Sequence, residues 1–181
     1  MTRRMRAPRG SWAAALAISA LICVGCRPTA PRDALAPRSL ASADPIIVAA
    51  VPRAGGVLVT ARVAQPDLAG DTIRLASRAV RRIAWAVQAG APDLPPSASV
   101  ITFELYGVEA DKFGKRTPAR LFAGDFDVND LRNADLKSMG PAKILNLAID
   151  LRIDDAGISP INAWCMRYPH VGTNYCEMAG F

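Results

Sequence analysis

The sequence predicts an α+β domain in two layers, a mainly antiparallel sheet in the order ββαββα with helices on one face, followed by an irregular tail. Three observations predict it. β-rich runs occur in pairs joined by short turn-forming stretches, each pair is followed by a segment with helical periodicity, and the stretch 46–181 is long enough for one real core.

The first pair is Ile46 to Val51 and Gly56 to Val63, separated by Pro52-Arg53-Ala54-Gly55, which reads as a hairpin. The clearest helix follows, over Thr72 to Ala89, with Asp71 as N-cap and Gly90 as its stop. Ile73, Ala76, Val80, Ile83 and Val87 recur at steps of three and four and form one apolar stripe. Arg74, Arg78, Arg81 and Arg82 lie opposite. This basic face is a candidate binding surface for anionic head groups or an acidic protein, carried by Arg74, Arg78 and Arg82. The competing reading is a solvated face whose arginines meet carboxylates of neighbouring elements. Exposed charges contribute little to stability, so replacing the three by Gln is expected to leave folding nearly intact.

After the breaker Ala91 to Pro96, residues 99–108 alternate, with Ile101, Phe103 and Leu105 to one side and Thr102, Glu104 and Tyr106 to the other. Asp111 to Thr117 turns the chain, and Ala119 to Phe126 returns as the second hairpin. Asn129 to Leu136 reads as a short helical piece. Pro141 to Leu151 fits a second full helix with proline in its first turn.

The first 25 residues are an address rather than part of the fold. Arg3, Arg4, Arg6 and Arg9 precede the apolar run Trp12 to Val24, which is too short for a stable span and has the charge asymmetry of a secretory signal. Its exit, Leu21-Ile22-Cys23-Val24-Gly25-Cys26, resembles a bacterial lipoprotein lipobox. That resemblance implies an acylated Cys26 as the mature N-terminus and a membrane as partner through the lipid. It also implies that Arg27, where Asp would favour inner-membrane retention, leans towards the outer membrane. Ordinary cleavage would give a soluble periplasmic or secreted product instead. Residues 26–45 are rich in Pro, Ala and Ser without apolar period and read as a disordered tether.

Export fits the cysteines. Of the four in the chain, Cys23 leaves with the signal and Cys26 takes lipid, so Cys165 and Cys176 form an even pair, expected as a disulfide tying the tail. Free thiols or half of a metal site are the alternatives, but the spacing is not CxxC and His170 is the sole histidine. The enclosed loop holds Tyr168, His170 and Tyr175, a candidate recognition surface because interfaces favour aromatic side chains held in advance. The other reading packs these rings onto the sheet.

Charge excludes one class of partner. Of 22 basic residues four precede the apolar run, leaving 18 against 16 acidic, so no nucleic acid is implied. Chemistry is poorly supplied as well. Asp125 to Asp130 resembles the start of a calcium loop but has Asp130 and Leu136 where Gly and Glu are needed, so a strand end with a helix cap is expected, with no metal and no cofactor. The sequence thus points to a lipid-anchored envelope protein with a non-catalytic domain for an envelope protein or polymer. The alternative is a small periplasmic hydrolase in which Glu104, Glu109, Asp125 and Asp127 converge in one pocket.

Overall fold

The computed structural model describes residues 39–64, 69–110, 112–168 and 174–178. Cys26, most of the expected tether and His170 lie outside them. The domain is α+β with a five-stranded mixed sheet in the spatial order β1-β2-β3-β4-β5.

The first hairpin joins β1 (Ile47–Arg53) to β2 (Gly56–Arg62). The amphipathic stretch becomes α1 (Ala69–Gln88), and its predicted stripe is buried at Ile73, Ala76, Val80, Ile83 and Val87. β3 (Val100–Ala110) then pairs with β2 in parallel, because a strand reached through a helical crossover returns in the direction of the strand before it. β3 and β4 (Arg116–Asp127) form the second hairpin. Three pairings are therefore antiparallel and one parallel. Phe103, Phe122, Phe126, Ile101 and Leu105 join the α1 stripe in one core, and full burial of each such side chain contributes roughly 1.5–3 kcal/mol.

Asp127 caps α2 (Val128–Asn133), its carboxylate accepting the Asn129 and Asp130 amides at 2.7 and 3.2 Å. The helix expected over 141–151 is replaced by a 3-10 helix (Pro141–Leu147) and an edge strand, β5 (Ala148–Ile153), antiparallel to β4. Ile144 and Leu145 are buried as a helix would bury them, but Ile149, Leu151 and Ile153 alternate with Asp150 and Arg152, and the open edge of β4 gives that period-2 pattern a ladder to join. The tail is not irregular: α3 (Asp155–Arg167) contains Pro160, and α4 (Asn174–Met178) follows. Gly157 and Pro160 conceal α3 in the sequence, since both weaken a helix interior. Packing overrides them, with Gly157, Pro160, Ile161 and Cys165 buried.

The domain also begins earlier than the expected boundary at residue 46. Leu40, Ala43 and Asp44 are buried, and the Asp93 carboxylate accepts the Leu40 and Ala41 amides at 2.8 and 3.0 Å. No helix among the described residues is long and apolar enough to cross a membrane.

Candidate functional site

Two arginine clusters define the polar chemistry. The first lies on α1. The Asp44 side chain, 0% exposed, is gripped by Arg78, whose Nε and Nη2 lie 2.8 and 3.0 Å from its two oxygens, with the Arg82 Nε at 3.4 Å. Arg81 donates to the Leu136 and Met139 carbonyls and lies over the Trp85 ring. Arg74 keeps its own contacts within the fold. Of the three arginines expected to bind a partner, Arg78 and Arg82 thus hold the chain's own entry segment to the helix. Against the expectation for exposed charges, their replacement is therefore predicted to cost stability, because their carboxylate partner has no water to fall back on.

The second cluster is on the outer sheet face and is built by a bulge. Leu105 stands opposite Phe122, yet Tyr106 stands opposite Arg120, so Leu121 is the extra residue of β4. A bulge reverses which face the following side chain takes. Leu121 and Phe122 both turn into the core, and Arg120 is carried to the outer face beside Tyr106 and Glu104. Gly107 leaves the space that Leu121 fills. The Leu121 carbonyl accepts the Asp154 amide at 3.1 Å, and Gly157 packs so closely on that carbonyl that a Cβ would lie 1.9 Å from its oxygen. The bulge therefore sets Arg120 and Asp154 against each other.

Two groups of contacts line this face. Arg120 is bidentate to Asp154, Nε to Oδ2 at 2.6 Å and Nη2 to Oδ1 at 3.1 Å, and its Nη1 reaches Glu104 Oε1 at 3.0 Å. The Tyr106 hydroxyl donates to Glu104 at 3.2 Å. Further along the face, Thr102 donates to Asp125 at 2.7 Å, and Arg152 reaches Asp125 at 2.9 Å and Asp150 at 3.3 Å. These contacts set the charge states. Hydrogen bonding to Asp154, then to Glu104, raises the Arg120 pKa, while the Arg120 hydrogen bond holds Asp154 below the usual carboxylate range. Desolvation and then the Glu104 charge push the Tyr106 phenol up. All three shifts point away from neutrality.

The four carboxylates of the hydrolase reading take different positions among the described residues. A hollow of about 300 Å³ opens at the β1–β2 turn, lined among others by Arg53, Leu58, Ser99, Thr102 and Asp125. Of the four, Asp125 alone lines it, while Glu104 is paired with Arg120, Asp127 caps α2 and Glu109 is exposed near the end of β3. Among the described residues no cluster of His, Cys, Asp and Glu could hold a metal.

The Cys165–Cys176 disulfide is present. Of the loop candidates, Tyr175 is 1% exposed and belongs to the core, matching the packing alternative, whereas Tyr168 is 39% exposed. Tyr168 packs against Trp164 with the rings tilted and their centroids 4.3 Å apart, and lies under Arg167. His170 is outside the described residues. Arg120 belongs to no sequence motif. Its only signal in the sequence is the run Leu121-Phe122-Ala123, which interrupts the alternation and marks a bulge. No protein-family model matches this chain, and neither a curated protein nor a solved structure does.

Proposed function

We propose that this protein is exported, is held at the bacterial cell envelope by lipid on Cys26, and uses its domain to bind an envelope protein or polymer without catalysing a reaction. The observation that carries the reading is the Cys165–Cys176 bond, since such bonds persist in oxidising compartments outside the cytoplasm. The remaining two cysteines, Cys23 and Cys26, both stand at the exit of the apolar run, where a lipobox places its acylated residue.

The surface for binding is the outer sheet face. The alternation of β3 supports this, and with it a two-layer reading of the fold: Ile101, Phe103 and Leu105 enter the same core as α1, while Thr102, Glu104 and Tyr106 stay partly exposed. General acid–base catalysis wants a group that changes protonation near the working pH. Arg120 and Asp154 instead remain charged and Tyr106 neutral, which suits a fixed pattern of donors and acceptors better than proton transfer.

Membrane fractionation of the full chain tests the anchor. The wild type is expected in the membrane fraction, leaning to the outer membrane, and Cys26→Ala in the soluble or uncleaved fraction. Equal membrane retention of the variant as a processed protein would refute lipid anchoring.

A further inference from the structure

The β3–β4 hairpin outruns the rest of the sheet. The last pairing of β2 with β3 is Arg62 with Tyr106, and β5 pairs with β4 from Phe122 to Phe126, so among the described residues Gly107–Ala110 and Arg116–Ala119 have only each other as strand partners. At the end of this projection Phe113 is 82% exposed, more than any other large hydrophobic side chain among the described residues. Its neighbours are cations: the Lys112 ammonium is 5.0 Å from the ring centroid, and Lys115 and Arg116 are exposed just beyond.

We propose that this tip is a membrane contact, with Phe113 entering the head-group boundary of an anionic bilayer and Lys112, Lys115 and Arg116 meeting lipid phosphates. An apolar wedge with a lysine over its ring and two further cations close by in the sequence matches a surface that is apolar inside and negative outside, and lysine stems can lie along the acyl boundary while their charges stay wet. A protein hot spot would need a packed apolar surround. The residues after Phe113 are Gly114, Lys115, Arg116 and Thr117, which supply none.

Magnitude explains why the contact needs a tether. Each cation near an anionic surface gains about fivefold in partition, but the acidic residues Glu109 and Asp111, close by in the sequence, offset two of the three. Alone the tip binds weakly; held near the membrane, it binds as an intramolecular second contact. Packing has begun by Leu40, so the tether of the reading above has at most the twelve residues 27–38, which lie outside the described residues and could reach about 40 Å if fully extended. The twelve residues of β4 span a similar length, about 40 Å. The leash alone therefore leaves orientation open, and the tip fixes it. The choice of a lipid partner rests on the envelope location proposed above.

The test supplies the tether artificially, so it does not depend on lipidation. The chain from Arg27 to Phe181 with an N-terminal histidine tag is bound to vesicles of phosphatidylcholine and phosphatidylglycerol carrying a nickel-chelating lipid and brominated acyl chains. Phe113→Trp is expected to show a blue shift and a loss of emission beyond those of the wild type, whose Trp85 and Trp164 give the background. Adding Lys112→Gln, Lys115→Gln and Arg116→Gln to this variant is expected to abolish most of the extra quenching, as is replacing phosphatidylglycerol by phosphatidylcholine. Emission equal to the wild type on anionic vesicles would overturn the proposal, and so would quenching indifferent to both changes. Failure of Cys26→Ala to release the protein in cells would bear on the anchor and leave this result standing.

Discussion

The two arginine clusters look alike as contact patterns and differ in where the carboxylate sits. Asp44 is sealed from water beneath Arg78 and Arg82, whereas Glu104 and Asp154 share Arg120 on a face that solvent still reaches. A buried carboxylate deprived of its cation has nothing to replace it, but an exposed one is rehydrated. The Asp44 cluster therefore belongs to folding, because it clamps the entry segment to α1. The Arg120 cluster is a charge pattern that solvent reaches, and it is the one proposed above to face a partner.

Substitution separates the two most sharply at α1. Arg78→Gln together with Arg82→Gln strands the Asp44 carboxylate and is expected to cost about 3–5 kcal/mol, seen as a melting temperature lower by roughly 10 °C. Adding Asp44→Asn to that pair should restore much of the loss, since the stranded charge is its source. No rescue would mean that the arginines act through packing alone.

Next in size is the support beneath the outer cluster. Gly157→Ala drives a methyl group onto the Leu121 carbonyl, so α3 or the bulge must move, at a cost of about 1–3 kcal/mol. Nuclear magnetic resonance should show the disturbance spreading to Arg120 and Asp154 and leaving Asp44 untouched. An unchanged outer face would detach the cluster from the bulge.

Smallest is Arg120→Gln, expected to cost about 1 kcal/mol or less at neutral pH because both carboxylates can hydrate. Asp154 is held below its ordinary pKa in the folded chain, so its contribution is present above about pH 3.9 and is lost as pH falls through the lower folded value. The melting temperatures of wild type and variant should therefore converge in acid. A gap that persists at low pH would assign Arg120 a packing role.

Local pattern accounts for what was legible in advance. The stripe of α1, both hairpins, the cap at Asp127 and the Cys165–Cys176 pair each depend on neighbouring residues or on simple cysteine arithmetic. What was hidden depends on tertiary context. The 148–153 stretch became a strand because β4 offered a free edge, and α3 formed through Gly157 and Pro160 because its buried face outweighed their weak propensity. The Asp44 clamp joins residues 34 positions apart, and Arg120 reaches its face only through the bulge, so neither cluster has a one-dimensional signature. The basic face of α1 was visible, but its partner was not.

Work outside the cytoplasm on a lipid leash, as proposed above, is open to intact mass spectrometry of the chain recovered from the membrane fraction. The expected result is a mature chain beginning at Cys26 with added acyl mass, and a Cys165–Cys176 bond that resists thiol alkylation until a reductant is added. A chain that retains its first 25 residues or begins at another position without acyl mass, with both cysteines open to alkylation, would contradict it.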